Sequence, residues 1–525
     1  MGGSMEVADE VSSAVSRLRD TFTSGRTRDV RWRLAQLLAL VRCVEVHRDE
    51  LTDALQADLG VSPFLSTVNE VERVLVQARH ARRNVKQWVR YRTVHGPAVL
   101  VPGKTRWRPE PYGVVVIYGT WNYPMSMVLL PLIGALAAGN CAVIKVSELS
   151  PNVSGLLARL VPKYLDRGAV AVIEGGMEAV TALYAHQWDY IFFTGSREKG
   201  KMVAAQAAKT LTPCTLELGG KCPVVVGTSA DLKVAARRTV LGKFGIHAGQ
   251  TCVAPDHVLA IGKGRAEAFA AEAKRCIAEM FGSDPAKSAD YGRIINSSTT
   301  SRLQNLLASS GGTVVSGGVC DVEARYFSPT VVLLDRGADS TPLMQEEIFG
   351  PILPVVAVDA LDDALALVNH RSDPLVVYCF TRDAREARKL QEETRSGAFV
   401  QGEVMLQMVV PDIPFGGVGE SGHGCYHGVW SFETFSRIRA YHATSTWLDP
   451  FFKYPPYSGL KKKILKVLFA IRFHAIRMGP LSAISLALAP ALAYAFRHDL
   501  RRATAGILGW LATALATNGT GSYGG

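Results

Sequence analysis

Apolar residues recur at helical spacing through the first hundred positions. Leu34, Leu37, Leu38 and Val41 fall at i, i+3, i+4 and i+7, and Val71, Val74 and Leu75 begin a second stripe. Arg, Asp and Glu fill the other faces, so residues 5–100 read as amphipathic helices. A Pro- and Gly-bearing stretch at 95–104 marks a break or a projecting hairpin. The pattern changes after Tyr112. Short, strongly apolar runs at 113–118, 141–145, 169–173, 189–193 and 222–226 alternate with helix-like segments near 126–138, 151–166, 177–186 and 198–208. Continuous apolar strands alternating with helices predict a parallel sheet covered on both faces, the pattern of a doubly wound nucleotide-binding lobe.

A second α/β stretch follows, with strands near 256–261, 328–334, 352–358 and 375–380 and helices near 233–244, 265–281, 361–370 and 384–394. Residues 411–428, PDIPFGGVGESGHGCYHG, read as a Gly-rich loop. From 451 the composition changes again. At about 150 residues per domain, 525 residues leave room for roughly three lobes.

The net charge of +11 is unevenly placed. Residues 451–502 hold ten Lys/Arg against one Asp, a balance of +9, and 503–525 carry no charge, so the first 450 residues stand near +2. A nucleic-acid binder would not concentrate its basicity in this way. The nine cysteines have no C-x-x-C pair and no zinc-ligand spacing, which fits reduced thiols in a cytosolic compartment and no metal site. The first residues, MGGSMEVADEV, lack the apolar core of a signal peptide, and Glu6 breaks the myristoylation pattern.

Two phosphate motifs nearly match. Gly195-Ser-Arg-Glu-Lys-Gly200-Lys201 resembles a P-loop, but Met202 stands where Ser or Thr must hold magnesium. Gly417-x-Gly419-x-x-Gly422 has the letters of a dinucleotide fingerprint without a strand before it or an apolar helix after it, and reads as a tight turn. The informative cluster comprises Thr120-Trp-Asn122-Tyr-Pro124, Lys145-Val-Ser-Glu148, Phe193-Thr-Gly195-Ser196, Leu216-Glu217-Leu-Gly219-Gly220-Lys221 and Gly249-Gln250-Thr-Cys252. These segments lie at or beyond strand ends or in loops, where open α/β sheets bind their ligands.

Together these motifs resemble the aldehyde dehydrogenase superfamily. Glu346-Glu347-Ile-Phe349-Gly-Pro351 and Pro414-Phe415-Gly416-Gly417 extend the match, which covers roughly residues 10–445. Ser24-Gly-Arg-Thr-Arg28, Tyr426-His-Gly428, Ser431-Phe-Glu-Thr-Phe435 and Lys453-Tyr-Pro-Pro456 resemble its fatty aldehyde dehydrogenase branch. The resemblance implies two doubly wound α/β domains with a small bridging and oligomerisation element and a helical C-terminal tail. Residues 5–86 and 105–220 would bind NAD(P), 87–104 and 411–445 would form the bridge, and 221–410 the catalytic domain. A homodimer is implied as well.

Oxidising an aldehyde to an acid needs a nucleophile, and a thiol suits because its thioester is reactive enough to hydrolyse. By the resemblance Cys252 is that nucleophile. The resemblance likewise implies that the Asn122 amide and the Cys252 backbone N–H would stabilise the oxyanion and that Glu217 would activate water. An isolated cysteine is more often a small buried hydrophobe, the ordinary reading of the other eight. Lys145 and Glu148 follow the second strand, where an acidic residue can hold ribose hydroxyls and favour NAD, although similar enzymes also accept NADP. Gly195 and Ser196 open the helix under the pyrophosphate. Thr120, Trp121, Gly200 and Leu218 complete the implied cofactor site, with Glu347 on the nicotinamide ribose or as a second base and Phe349 against the nicotinamide. Val146, Arg197-Glu-Lys199 and His247-Ala248 depart from the family's usual residues without removing a catalytic group.

Two rivals stand beside this reading: a cofactor-independent cysteine hydrolase, for which His247 is the nearby base, and a catalytically idle membrane scaffold. In the tail, residues 461–472 form a basic amphipathic segment, 478–496 run for 19 uncharged residues and 503–517 for 15. The longer run just spans a bilayer core of about 30 Å at a rise of about 1.5 Å per residue. Pro480 and Pro490 leave a spanning helix, a hairpin and an interfacial anchor all open. Flanking Lys/Arg would keep the body on the cytoplasmic side of an intracellular membrane such as the endoplasmic reticulum. The other reading of 451–525 is an extra helical layer buried on the protein. Aliphatic, medium- to long-chain aldehydes are the expected substrates.

Overall fold

The computed structural model describes residues 2–100, 103–335, 337, 340–371, 373–444, 446 and 449–471. It divides into two compact units, Met1–Val89 with Glu110–Arg437, and Arg90–Pro109 with Ile438–Gly525. The apolar runs 478–496 and 503–517 lie outside the described residues.

The first unit holds two sheets. In one, the strands Val114–Tyr118, Cys141–Lys145, Val170–Ile173, Tyr190–Gly195 and Cys214–Leu218 are parallel; numbered along the chain, their order across the sheet is 3-2-1-4-5. The strand Gly422–His423 closes the edge antiparallel, with Gly422 opposite Glu217. Alternate side chains feed two cores, because successive strand residues point to opposite faces. Val114, Val116, Cys141, Val143, Ile191 and Phe193 join Val11, Ala14 and Leu18 of the first helix. Val115, Ile117, Ala142, Ile144 and Phe192 enter the larger core. Strands buried on both faces explain the unbroken apolar runs in the sequence.

The second sheet takes its strands from 223–401. Its order is Thr313–Ser316, Thr330–Leu334, Ile352–Val358, His257–Ile261, Pro223–Val226, Val376–Phe380 and Ala398–Gln401, antiparallel only at the first pair. Four of its elements were not predicted or were misplaced. The edge strands Thr313–Ser316 and Ala398–Gln401 are only partly covered, so they lack an apolar run. Ser297–Ala308 is a helix with a Ser/Thr-rich first turn, capped by the Asn296 side chain on the Thr299 N–H. The helix expected at 233–244 ends at Val240 and continues as a π turn, Leu241–Gly245. In the first sheet, Cys214–Leu218 alternates polar and apolar residues and was read only as a motif beside a strand.

Of the segment 411–445 expected in the bridge, residues 411–437 group with the first unit and only the remainder with the second. Phe415, Tyr426, Phe432 and Phe435 are buried in the first. In the second unit, the expected hairpin forms, with Arg92 opposite Trp107, and Arg106 lies over both Tyr91 and Tyr441. The helix Gly459–Ala470 is capped by Ser458 and buries Leu468 against Ala98 and Val99. Among the described residues no helix is long and apolar enough to cross a membrane.

Every residue of the helix Ser126–Ala138 is buried. Gly134 lets it approach the helix Gly428–Thr434: a Cβ there would sit 2.8 Å from the Ser431 carbonyl oxygen. Alanine is the better helix former by about 1 kcal/mol, yet Gly134→Ala is expected to destabilise the protein by about 1–3 kcal/mol through overpacking. Denaturant unfolding of the two proteins measures the sign.

Candidate active site

Open α/β sheets bind their ligands where the strand order reverses, here between Val114–Tyr118 and Tyr190–Gly195. A cavity of about 300 Å³ opens there. Of the residues singled out in the sequence, Thr120, Trp121, Asn122, Gly195, Ser196, Glu217, Leu218, Cys252, Glu347 and Phe349 all line it. Lys145, Glu148 and Gly200 do not. Lys145 and Glu148 form an ion pair of 2.7 Å beyond the second strand. Gly200 lies in the helix Arg197–Ala208, where a Cβ would meet Leu218 Cδ2 at 2.6 Å, so glycine there permits close helix–strand packing.

The cysteine loop is held from below by Gln250. Its side chain donates to the carbonyls of His247 and Arg293 and accepts from the Ile295 N–H at 3.0 Å. Its own carbonyl accepts from Asn122 Nδ2 at 2.9 Å, while Thr120 Oγ1 donates to Asn122 Oδ1 at 2.7 Å. The Asn122 amide is thereby oriented at both ends. Tyr123, buried beside it, hydrogen-bonds through its hydroxyl to Thr251. Burial raises the Cys252 thiol well above its ordinary range, and the carboxyl groups of Glu217 and Glu347 add to the effect.

Glu217 is buried with neither carboxyl oxygen hydrogen-bonded among the described residues. Burial pushes it up to about 8, opposed by the Arg73 guanidinium and aided by Glu347. Glu347, raised to about 7 by burial and by Asp256, accepts the Gly220 N–H at 3.1 Å. A Cβ on Gly219 would overlap the Glu347 carboxyl, which is the close approach that glycine permits. The Glu347 loop is anchored by Lys221. This buried lysine pairs with Asp256 and donates to the carbonyls of Leu343 and Glu346 at 2.8 and 2.9 Å. Asp256 also accepts the Ile348 N–H. Phe349, edge-on to Trp121 at 5.6 Å, is held at φ 47, a left-handed strain of the kind found at ligand sites.

The switch-point rim fits a dinucleotide. Ser196 precedes the helix Arg197–Ala208 without spending its side chain on a cap, so the first-turn N–H groups remain to meet a phosphate. Thr194 Oγ1 is buried with no partner among the described residues. The Gly417–Gly422 decoy is a turn, as expected, with Gly419 and Gly422 at positive φ.

Sequence reasoning missed several lining residues: Arg73, Tyr123, Met127, Thr194, Gly219, Thr251, Thr299, Arg302, Met408 and Phe415. Some of these stand within quoted motifs without being given a role there. Thr299 and Arg302 come from the missed helix, and an Asn-x-x-Thr cap signal at 296–299 could have found it. Arg73 carries no local signal, because it reads as the polar face of an amphipathic helix.

A 3-2-1-4-5 sheet whose switch point opens onto an oriented amide, a thiol and a buried carboxyl fits an oxidoreductase that uses a dinucleotide. The sequence model of the aldehyde dehydrogenase family matches residues 4–441. Aldehyde dehydrogenase family 3 member F1 of Arabidopsis thaliana is 41% identical over 471 residues, covering 89% of this chain and 97% of that protein. The 4,4'-diaponeurosporen-aldehyde dehydrogenase of Staphylococcus aureus is 40% identical over 448 residues, covering 85% and 96%. The solved substrate-bound state of Staphylococcus aureus AldH superposes with a TM-score of 0.84 at 38% identity, covering 87% of this chain and 99% of that one. The chain belongs to the aldehyde dehydrogenase family, and it is an NAD(P)-dependent enzyme.

The raised Glu217 has a consequence for stability. In the unfolded chain this carboxyl loses its proton near pH 4.5, in the native state only near pH 8. Between those values the native state binds the extra proton, so Glu217 lowers stability progressively as pH rises from about 4.5 to 8. Glu217→Gln removes that dependence. Its Tm relative to wild type is expected to rise between pH 5 and pH 8, and a pH-independent difference would contradict the burial argument.

Proposed function

We propose that the enzyme oxidises aliphatic aldehydes, of medium to long chain, to carboxylic acids through a thiohemiacetal and a thioester on Cys252. The observation that carries this reading is the meeting of Cys252, Asn122 and Glu217 in one cavity at the switch point. When bound there, NAD(P)+ supplies the hydride acceptor. Cys252 Sγ, having given its proton to a neighbouring carboxylate, bonds to the aldehyde carbon. One Asn122 N–H is engaged by Gln250; the other, with the Cys252 backbone N–H, holds the developing oxyanion, an interaction typically worth about 3 kcal/mol per donor. Glu217 takes a proton from water, water adds to the thioester carbonyl, and the acid leaves as the thiol is restored. Met127, Met408 and Phe415 give the cavity an apolar wall suited to an alkyl chain.

Glu148, beyond the second strand, supports ribose binding and use of NAD. A dog relative named "aldehyde dehydrogenase, dimeric NADP-preferring", 42% identical over 431 residues, supports NADP as an alternative and a homodimer. The hydrolase rival is not favoured, because His247 does not line the cavity. It stacks on Tyr123 at 4.2 Å, and burial brings it down to about 4. The idle scaffold is not favoured either, because the three catalytic groups are all present.

Cys252→Ser is expected to abolish turnover while NAD binding persists. Glu217→Gln is expected to keep a burst of NADH followed by slow turnover, since the thioester forms before the base acts. Rapid-mixing absorbance reads both, and loss of the burst would move Glu217 to the earlier, thiol-activating step.

The tail supports membrane association, with the catalytic unit on the cytoplasmic face. On the helix Gly459–Ala470, Lys462, Lys466 and Phe469 are exposed at i, i+4 and i+7, so one face joins positive charge to an aromatic ring. Replacing both lysines by glutamine is expected to weaken binding to phosphatidylserine vesicles by about 1 kcal/mol per residue. Deleting residues 458–525 should release the enzyme to the soluble fraction, leave short aldehydes turned over and impair membrane-presented hexadecanal. Vesicle flotation and fractionation separate this from a buried helical layer, whose loss would reduce activity on every aldehyde.

A further inference from the structure

We propose that Arg73 is a positioning residue that makes the charged, proton-accepting form of Glu217 reachable at lower pH than burial alone would allow; this rests on the reading of Glu217 as the base for deacylation. Arg73 and Glu217 line the same cavity. Arg73 opens the helix Arg73–Trp88 directly after a π turn, Thr67–Glu72, a one-residue insertion that re-aims the side chains following it. Its guanidinium is anchored on one side, where Nη2 lies 3.2 Å from His427 Nε2. Burial and the guanidinium itself keep His427 neutral, so Nε2 accepts and the ring proton stays on Nδ1. Among the described residues Arg73 Nε is buried with no hydrogen-bond partner, and no carboxylate closes an ion pair with the side chain.

The other charged groups around Glu217 are accounted for. Arg302, also at the cavity, donates to the Ile348 carbonyl at 2.6 Å and lies 3.4 Å from Glu346. Arg197, beyond the neighbouring strand, pairs with Glu420 at 2.8 Å. Lys221 is paired with Asp256. Glu347, Cys252, Tyr123 and Tyr426 are neutral or negative when they titrate. Glu70, one turn before Arg73, is buried; its Oε2 accepts the Ser126 N–H at 2.6 Å. Arg73 is therefore the positive charge that opposes burial at Glu217.

The arrangement suits a base. A carboxyl in a dry cavity holds its proton to high pH, and a cation nearby brings that pH down by offsetting part of the desolvation. A direct ion pair would supply that cation but occupy the oxygens. Arg73 supplies the charge while both buried Glu217 oxygens remain without a hydrogen-bond partner among the described residues.

The test measures the post-burst turnover of full-length enzyme with NAD and a short aldehyde from pH 6 to 10, in wild type, Arg73→Met, Arg73→Gln, Arg73→Lys and Glu217→Gln. Wild type is expected to rise along a limb near pH 8. The Met and Gln variants should move that limb up by about one unit or more and lower the rate at pH 7 about tenfold, with the NADH burst retained. Arg73→Lys should restore the wild-type limb. If either neutral variant folds with unchanged Tm and NAD affinity and its limb stays at the wild-type pH while Glu217→Gln abolishes it, the proposal fails and the base assignment survives. If Glu217→Gln leaves the limb in place, the base assignment fails and takes the proposal with it.

Discussion

A carboxyl group buried without a hydrogen bond at either oxygen is energetically unfavourable, and the site of this enzyme is arranged around that constraint at Glu217. The residue lies inside a strand, flanked by Thr194 in parallel register and Gly422 in antiparallel register, so its backbone cannot yield. Gly219 and Gly220 follow at once, one leaving room for the Glu347 carboxyl and the other donating to it. Glu347 raises Glu217, and both acids raise the thiol. The two carboxyls, at about 8 and about 7, are poised to exchange protons near neutrality, the range in which a general base is most effective.

Rigid supports outside the cavity keep this cluster in place. Lys221 and Asp256 stand at the starts of adjacent strands of the second sheet and hold the Glu347 loop through two carbonyls and one N–H. Removing either partner would leave the other charge buried and uncompensated, at a cost of about 3–5 kcal/mol. Gln250 does the same for the cysteine loop with neutral hydrogen bonds. Positive φ at His247, Ala248 and Phe349 concentrates backbone strain next to these supports, where the packing over-determines it.

Much of this was legible in the sequence, for reasons that differ by element. The central strands could be read because both of their faces are buried, which demands uninterrupted Val, Ile and Phe. The helix Ser126–Ala138 was read at its observed bounds because it is apolar all round and stops at Gly139, whose φ is 93. Cys214–Leu218 was not read as a strand although it carries Glu217: a functional polar residue breaks the apolar run that identifies a buried strand. Ser297–Ala308 escaped because hydroxyl side chains fill its capped first turn, and the edge strands because half their surface faces water.

Residue identity alone determined which groups could do chemistry: a thiol after Gly-Gln-Thr, an amide before Tyr-Pro, an acid before Leu-Gly-Gly. It also determined the period of each buried element, because burial dictates hydrophobic spacing locally. What only the tertiary structure decided is which of these groups share a cavity and in what electrostatic state. Glu148 stands with Lys145 away from the cavity, and His247 is stacked into the core, whereas Arg73 arrives at Glu217 from a helix some 140 positions earlier in the chain. Charge–charge interaction depends on distance through space and on the surrounding dielectric. Neither quantity is written in the order of residues along the chain.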